Sequence, residues 1–320
     1  MEYSRGDKIK VSYGTAIELG LIKGIMKDPP TTGYFFVMIN KCEGKCKFCL
    51  QSKEPSNMIS RVIWPEFNIE DILKKPLSKF KRICIQCSKE NNIISKVINF
   101  ISNISNIPIS ISTSPLREEE MILLKKMNID IITIPIDCAS KEIFNYIKGE
   151  NWDYYWNSLE KALKIFGREK IGTHIIVGLG ERECDVINIL EKCKNMGIIP
   201  SLFAFTPISK TELYNLKRPS ISSYRRLQIA RELIFMNEDY EFSYDNNGRI
   251  IEIKANKNIL EDIIEKGEAF MTKGCPNCNR PYFNENPLGP IYNYPRKPRK
   301  EEIDIIRREL FAEGLKISYK

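Results

Sequence analysis

Short apolar runs alternate with longer amphipathic stretches through the middle of this 320-residue chain, and this alternation limits the folds that it can adopt. Each apolar run has the length of a buried strand, and each stretch after it has the spacing of a helix with one apolar face. The pairs of runs and stretches are 82–87 and 91–102, 107–112 and 117–127, 129–136 and 141–147, 172–178 and 182–196, and 198–205 and 220–236. Strands that alternate with helices form βαβ units with right-handed crossovers, so we predict an α/β fold with a parallel sheet.

A further apolar run at 34–40 precedes the alternation and brings the number of predicted barrel strands to six. Six strands are fewer than the eight of a complete TIM barrel. The pattern therefore predicts an open, partial (βα)6 TIM-type barrel over residues 34–236, with residues 1–33 as an N-terminal extension.

The pattern changes in the C-terminal extension, residues 237–320. Two strand-like runs flank the turn sequence Asp245-Asn-Asn-Gly248, which predicts a β-hairpin. A helix, an irregular tail and a final charged helix are expected at 259–271, 272–300 and 302–312.

Composition narrows the class of protein further. The chain is 42% hydrophobic and 28% charged, and no apolar run approaches the roughly 20 residues that span a bilayer. No apolar signal-peptide stretch follows the first five residues, so we expect a cytoplasmic protein without membrane association. The 49 Lys and Arg residues against 41 Asp and Glu give a net charge of +8, which favours acidic partners.

Ten cysteines and a single histidine, His174, make thiolate the soft ligand that this chain can offer. A reducing compartment keeps thiols available for metals or catalysis. Three of them, Cys42, Cys46 and Cys49, follow the first predicted strand with three and then two residues between them. Three thiolates on one short loop can hold a cubane iron–sulfur cluster and leave its fourth iron open to a small molecule. The alternative is a zinc site completed by another cysteine, although zinc sites usually combine two closely spaced pairs.

The three-cysteine loop resembles the signature of the radical S-adenosylmethionine (SAM) superfamily, which follows the first strand of a partial barrel. The resemblance implies that a [4Fe-4S] cluster binds SAM and that electron transfer yields methionine and a 5′-deoxyadenosyl radical. It also implies SAM contacts, mostly at strand ends, at Phe48, Asp137, Ile176, Gly178 and Glu181. His174 stands where the family's Gly-x-Ile-x-Gly-x-x-Glu element has its first glycine. A lone histidine between apolar residues is more often part of the core.

Closer similarity is to biotin synthase and its sulfur-inserting relatives, over roughly residues 34–213. Three segments carry it, namely Cys46-Lys-Phe-Cys49-Leu-Gln-Ser52, Val177-Gly-Leu-Gly-Glu181 and Phe205-Thr-Pro-Ile-Ser-Lys-Thr-Glu-Leu213. Biotin synthase holds a second iron–sulfur cluster inside its barrel with three cysteines and an arginine. In this chain Cys84 matches one of those cysteines, whereas Ser112 and Gly172 stand near the other two positions.

Two spare Cys-x-x-Cys pairs are left, Cys84 with Cys87 on the second predicted strand and Cys275 with Cys278 in the tail. Together they supply the four thiolates of a closed auxiliary [4Fe-4S] cluster. We expect that cluster to face the SAM cluster across the substrate, with the tail folded over the barrel mouth. A zinc ribbon is the other interpretation, as are pairs that never meet, with Cys84 in the core. Residues beside the second pair that are candidates for shaping the substrate end are Asn279, Arg280 and Tyr282.

The segments 270–295 and 61–65 resemble archaeal biotin synthase-like proteins, among them the components of a two-protein lipoyl synthase. This resemblance implies sulfur insertion into the octanoyl chain of a lipoyl-carrier protein, either a lipoyl domain or a glycine-cleavage H protein. It further implies a second radical SAM lipoyl synthase subunit and an electron donor such as ferredoxin. Radical SAM modification of RNA or of a small molecule, and a zinc-binding scaffold without enzymatic activity, are the alternatives. We interpret the basic stretch 292–300 as a solvated surface, so nucleic acid is not an expected partner.

Overall fold

The computed structural model describes residues 7–54, 56–59, 61–285 and 289–320. Its strands are β1 (Lys8–Val11), β2 (Thr32–Val37), β3 (Met58–Ile59), β4 (Val62–Ile63), β5 (Glu66–Asn68), β6 (Arg82–Cys87), β7 (Ile109–Ser112), β8 (Ile131–Thr133), β9 (Ile171–Val177), β10 (Ile198–Ala204), β11 (Tyr240–Tyr244), β12 (Ile250–Ala255) and β13 (Lys316–Tyr319). Its α-helices are α1 (Tyr13–Glu18), α2 (Ile69–Leu73), α3 (Ile93–Ile101), α4 (Glu118–Lys126), α5 (Lys141–Lys148), α6 (Trp152–Phe166), α7 (Glu183–Met196), α8 (Ile221–Met236), α9 (Lys257–Lys266) and α10 (Lys300–Phe311).

Six strands of the main sheet are parallel neighbours in the order β10-β9-β8-β7-β6-β2, which confirms the predicted partial (βα)6 barrel. Two antiparallel strands, β1 and β5, extend the sheet beyond β2 to eight strands. The residues predicted to form an N-terminal extension therefore contribute a strand to the barrel sheet.

The connection from β8 to β9 contains two helices, of which the alternating pattern predicted only α5. Ser140 caps the start of α5 by accepting a hydrogen bond from the Ile143 N–H, and Gly149 ends it in a left-handed conformation. Helix α6 begins three residues later, behind its own cap at Asn151. No strand separates the two helices, so strand–helix alternation carries no signal for the second one.

The C-terminal extension contains the predicted hairpin, β11 with β12, and a third strand, β13, that pairs with β12 in parallel. Helix α9 ends at Lys266, five residues before the predicted end, because Gly267 adopts a left-handed conformation there. None of the helices in the described ranges combines the length and apolar character that crossing a membrane requires.

Successive side chains of a strand point to opposite faces of the sheet, and this rule divides the barrel into two environments. On β6, Ile83 and Ile85 point outward into the apolar core beneath the helices. The intervening residues Cys84 and Gln86 face the barrel lumen. Arg82, at the start of β6, also faces the lumen. The other strands contribute small or polar side chains to it, namely Thr32, Ser110, Ser112, Thr133, His174 and Ser201.

Candidate active site

The loop of residues 42–49, called here the cysteine loop, follows β2 at the end of the barrel where the parallel strands finish. Several backbone hydrogen bonds hold it in place. The Lys47 N–H donates to the Ile147 carbonyl at the end of α5 at 2.9 Å, and the Cys49 N–H donates to the Cys46 carbonyl at 3.1 Å. The loop therefore lies where a barrel enzyme builds its site, as the sequence predicts.

The thiols of the cysteine loop lie close to one another. A Cβ atom placed on Gly44 would be 3.3 Å from the Cys42 Sγ and 4.0 Å from the Cys46 Sγ, so two sulfurs approach the same point of the backbone. Burial is the main cause that raises the pKa of Cys46 to about 12. Lys148 opposes the rise, whereas Asp137 and the thiols of Cys49 and Cys42 add to it. A cluster iron would supply the positive charge that these crowded thiols need in order to ionise.

An apolar cavity of about 160 Å³ opens beside the cysteine loop. Phe48 and Ile176, two of the residues expected to contact SAM, line it together with Cys49. The remaining lining residues are Leu50, Phe203, Ala204, Phe205, Thr206, Ile208, Pro281 and Glu285. The structure thus brings together the predicted aromatic contact and the predicted strand-end contact in the lining of one cavity.

Asp137, also expected at the SAM site, follows β8 in a left-handed conformation with φ +61°. Its N–H donates to the His174 carbonyl at 2.8 Å, and its carbonyl accepts from the Ile176 N–H at 2.7 Å. The carboxylate Oδ2 lies 2.6 Å from the Nζ atom of Lys148 in a buried ion pair. The strand end and the lysine therefore fix this carboxylate close to the cysteine loop.

Gly178 and Glu181 shape the turn after β9. Gly178 has φ +104°, and a Cβ there would lie 2.7 Å from the Cδ of Pro219, so the close approach of the two segments requires glycine. The Glu181 carboxylate accepts bonds from the N–H groups of Gly178 at 2.5 Å and Leu179 at 2.8 Å. Burial nevertheless raises the pKa of Glu181 above its ordinary value. In this structure the Glu181 carboxylate therefore stabilises the turn of residues 178–181.

A second group of thiols meets inside the barrel. Cys84 on β6 and Cys275, Cys278 and Arg280 in the tail line one space of about 30 Å³, called here the lumen site. Burial raises the pKa of all three thiols. Two of the lumen hydroxyls, Ser110 and Thr133, oppose this rise in the pKa of Cys275. Residues almost 200 positions apart along the chain therefore converge on one site.

The tail, residues 272–300, was predicted to fold over the end of the barrel where the parallel strands finish. In the structure it enters the barrel at the opposite end, where these strands begin. The side chains of Thr31 and Thr32 donate to the Asn277 carbonyl at 2.7 and 2.8 Å, and the Arg82 Nε donates to the Pro276 carbonyl at 3.0 Å. Thr32 and Arg82 are the first residues of their strands. The lumen site is therefore reached from where the strands begin, and the cysteine loop lies where they end.

Cys87 does not join the lumen site, which corrects the predicted four-cysteine set. It is three residues from Cys84 on the same strand, so the two side chains point to opposite faces of the sheet. Cys87 packs against the outer apolar core. Burial raises its pKa to about 12.

Arg280 is a buried cation whose guanidinium stands 4.8 Å from the centre of the Trp64 ring. Its Nε and Nη1 atoms have no hydrogen-bond partner within the described part of the chain. Of its two neighbours named from the sequence, Asn279 is buried and bonded to Tyr34, whereas Tyr282 packs on Phe283 and does not line the lumen site.

His174 lines the lumen site rather than packing wholly within the apolar core. Its ring stands 4.8 Å from the ring of Phe203, and burial lowers its pKa to about 4. Sequence reasoning did not single out Phe203 or Lys148, because an aromatic residue on a strand and a lysine at a helix end are ordinary features. Within the described ranges no three Cys, His, Asp or Glu side chains surround a point closely enough to hold one metal ion.

Among solved structures, the chain is similar to HydG, a maturase of the [FeFe]-hydrogenase, with TM-score 0.52 and 14% identity over 64% of this chain and 50% of that chain. It is similar to methylornithine synthase (PylB), with TM-score 0.50 and 14% identity over 88% of this chain and 82% of that chain. It is also similar to Streptococcus suis SuiB bound to S-adenosylmethionine, with TM-score 0.50 and 12% identity over 65% and 48% of the two chains. At these identities the likeness is one of fold.

The chain spans half the length of HydG. No curated protein matches it. The family that matches is the Radical SAM superfamily, over residues 36–193. This span begins at the end of β2, contains the cysteine loop and ends within α7. Residues 36–193 of this chain are therefore a domain of the Radical SAM superfamily.

Proposed function

We propose that this chain is a radical SAM enzyme that inserts sulfur into an unactivated carbon, as a component of lipoyl synthase acting on a protein-bound octanoyl chain. The observation that supports it is the convergence of Cys84, Cys275 and Cys278 in the lumen of the same barrel that carries the cysteine loop. A radical SAM enzyme that only generates a radical has no need for a second set of thiolates inside its barrel.

The residues of the lumen site fit an auxiliary iron–sulfur centre. Cys84, Cys275 and Cys278 provide three thiolates, and Arg280 brings a guanidinium with two N–H groups that lack partners in the described chain. The positive charge of Arg280 counters the effect of burial on the Cys84 thiol. The 30 Å³ between these side chains is smaller than a cluster, so we expect them to draw apart when one is assembled.

When bound, the first cluster and SAM would supply a 5′-deoxyadenosyl radical that takes one hydrogen atom from the substrate, and the lumen centre would supply the sulfide that joins the carbon and the iron that accepts the odd electron. The protein provides the geometry between them. Phe203 lines both the apolar cavity and the lumen site. An octanoyl chain that lies across Phe203 would therefore have the source of the radical on one side and the source of the sulfide on the other. The aromatic and aliphatic lining of the apolar cavity suits an alkyl chain and excludes water.

The proposed macromolecular partners are an octanoylated lipoyl domain or H protein, a second radical SAM subunit, and an electron donor such as ferredoxin. The net charge of +8 supports docking of acidic carrier domains and acidic electron donors. The second subunit rests on the resemblance of the tail to two-protein lipoyl synthases.

The experiment is anaerobic reconstitution followed by incubation with SAM, a reductant and an octanoyl-lysine peptide, with and without a candidate second subunit. Mass spectrometry of the peptide should show an added sulfur atom. A peptide that stays unchanged in both mixtures while SAM is cleaved would exclude sulfur insertion into this substrate. A preparation that holds zinc and no iron would exclude the radical mechanism altogether.

Two variants separate the two sites. A Cys275→Ala, Cys278→Ala protein should still cleave SAM to 5′-deoxyadenosine but should transfer no sulfur. Cys184→Ala is the matched control, because Cys184 lies at the start of α7 and lines neither the apolar cavity nor the lumen site. Loss of SAM cleavage in the double variant, with the first cluster intact, would give the tail a different role.

A further inference from the structure

A buried positive charge lies behind the cysteine loop. Lys148, the last residue of α5, is 5% exposed. Its Nζ atom lies 2.6 Å from the Asp137 Oδ2 and donates to the Pro135 carbonyl at 2.7 Å, and it stands 4.8 Å from the centre of the Tyr155 ring. Burial by itself would lower the pKa of Lys148, but Asp137 and Cys46 raise it, so the lysine keeps its charge.

The end of α5 is also the support of the cysteine loop. The Ile147 carbonyl accepts the Lys47 N–H at 2.9 Å. A Cβ on Gly149 would lie 3.4 Å from the Cβ of Lys45, so the two segments are in close contact. Lys148, between these two contact points, is therefore held in place relative to the loop.

These two contacts place Lys148 opposite Cys46. Its neighbours in the chain, Ile147 and Gly149, touch Lys47 and Lys45, which are the residues on either side of Cys46. A buried charge is weakly screened by solvent and salt, so it acts strongly on a neighbouring centre.

We propose that Lys148 is a positioning residue for electron transfer, which raises the reduction potential of the cluster held by Cys42, Cys46 and Cys49. Reduction adds one negative charge to the cluster, and net charge and surrounding charges set iron–sulfur potentials. The lysine stabilises that added charge, and Asp137 opposes it. The inference requires the radical SAM domain and is independent of sulfur insertion.

Lys148 and Asp137 carry opposite charges, so removing each charge should shift the reduction potential in opposite directions. In reconstituted protein, the midpoint potential of the first cluster is measured by redox titration followed by electron paramagnetic resonance, in a Cys275→Ala, Cys278→Ala background that removes the second signal. Lys148→Met should shift the potential to a lower value, and Asp137→Asn should shift it to a higher value. Lys148→Arg keeps the charge and should retain a potential close to that of the background protein.

Lys141→Met is the matched control. Lys141 begins the same helix and pairs with Asp153 at 2.7 Å, but this pair is exposed and lies at the far end of α5. Its removal should leave the potential unchanged. Shifts of the same sign in Lys148→Met and Asp137→Asn, or no shift in either, would overturn the proposal, since a structural role alone predicts no opposed signs.

Because Lys148→Met leaves a buried carboxylate without its partner, that variant can fail to fold. The double variant Lys148→Met, Asp137→Asn removes both charges and avoids this penalty. Its potential should lie below that of Asp137→Asn alone. A potential equal to or above that of Asp137→Asn would contradict the role of the lysine.

Discussion

Tyr34 in β2 and Asn279 in the tail hold each other by two hydrogen bonds, although they are 245 residues apart. The Tyr34 hydroxyl donates to the Asn279 Oδ1 at 3.0 Å and accepts from the Asn279 N–H at 2.8 Å. Both residues are buried, and the same hydroxyl lies 3.7 Å from the Cys278 Sγ. This contact therefore fixes the tail cysteines against the first barrel strand.

Replacing Tyr34 with Phe should loosen the tail. The change leaves the N–H and Oδ1 of Asn279 buried without their partner, which should lower the free energy of unfolding by about 1–3 kcal/mol. Chemical denaturation measures the loss. Tyr214→Phe is the control, because Tyr214 is 54% exposed and should lose almost nothing. Equal stability of Tyr34→Phe and the unchanged protein would show that the tail is held by its other contacts.

The two cysteines of β6 should behave differently. Cys84→Ala should lower the iron content of reconstituted protein as much as Cys275→Ala does, because both side chains line the lumen site. Cys87→Ala should leave the iron content unchanged, since that thiol packs in the outer core. Iron analysis per chain measures the difference. An equal loss of iron in Cys84→Ala and Cys87→Ala would mean that the two thiols share a cluster after all.

Gly178 should be more sensitive to substitution than Gly180 in the same turn. Both have positive φ, +104° and +110°, so alanine at either position costs roughly 1–3 kcal/mol of backbone strain. Only at Gly178 would the added Cβ also meet Pro219, at 2.7 Å, whereas nothing lies within 4 Å of a Cβ at Gly180. Gly178→Ala should therefore have the lower melting temperature of the two. A lower melting temperature for Gly180→Ala would contradict this packing.

Glu285 should make stability depend on pH in a defined window. Burial raises its pKa to about 7 from an ordinary value of 4.5, although N–H groups of Tyr292 and Asn293 bond its carboxylate. A raised pKa contributes stability that is fully present below pH 4.5 and is lost as the pH rises through 7, by up to about 3 kcal/mol.

Glu285→Gln should remove this slope in the free energy of unfolding between pH 4.5 and 7, measured by chemical denaturation at each pH. Glu261→Gln changes an exposed carboxylate on α9 and should leave the slope as it is. A slope that persists in Glu285→Gln would assign the pH dependence to other groups.

The order of the barrel strands and the position of the cysteine loop follow from the sequence. Buried strands alternate with amphipathic helices, and right-handed crossovers permit few arrangements of such units. A loop that follows the first strand must then emerge at the end of the barrel where all the parallel strands finish. The assignment of Cys42, Cys46 and Cys49 to one site depends only on this local order.

The membership of the lumen site was decided by tertiary structure. The Cys84-x-x-Cys87 spacing suggests a ligand pair, yet on a strand the two side chains face opposite sides of the sheet. The exclusion of Cys87 from the lumen site therefore follows from strand geometry once β6 is recognised. The position of Cys275 and Cys278 at the end where the strands begin cannot be derived in this way, because it depends on contacts such as Tyr34 with Asn279 and Arg82 with Pro276.

The local sequence thus determined the barrel and the position of the cysteine loop, because periodicity and short spacing act over a few neighbouring residues. Only the tertiary structure decided which thiols meet in the lumen and which cation lies behind the cysteine loop. The sequence predicts only that Lys148 lies near the end of a helix. It becomes a buried partner of Asp137 when β8 and α5 pack together. Contacts between distant segments produce no periodic pattern in the sequence, so the sites that they form can be identified only from the folded structure.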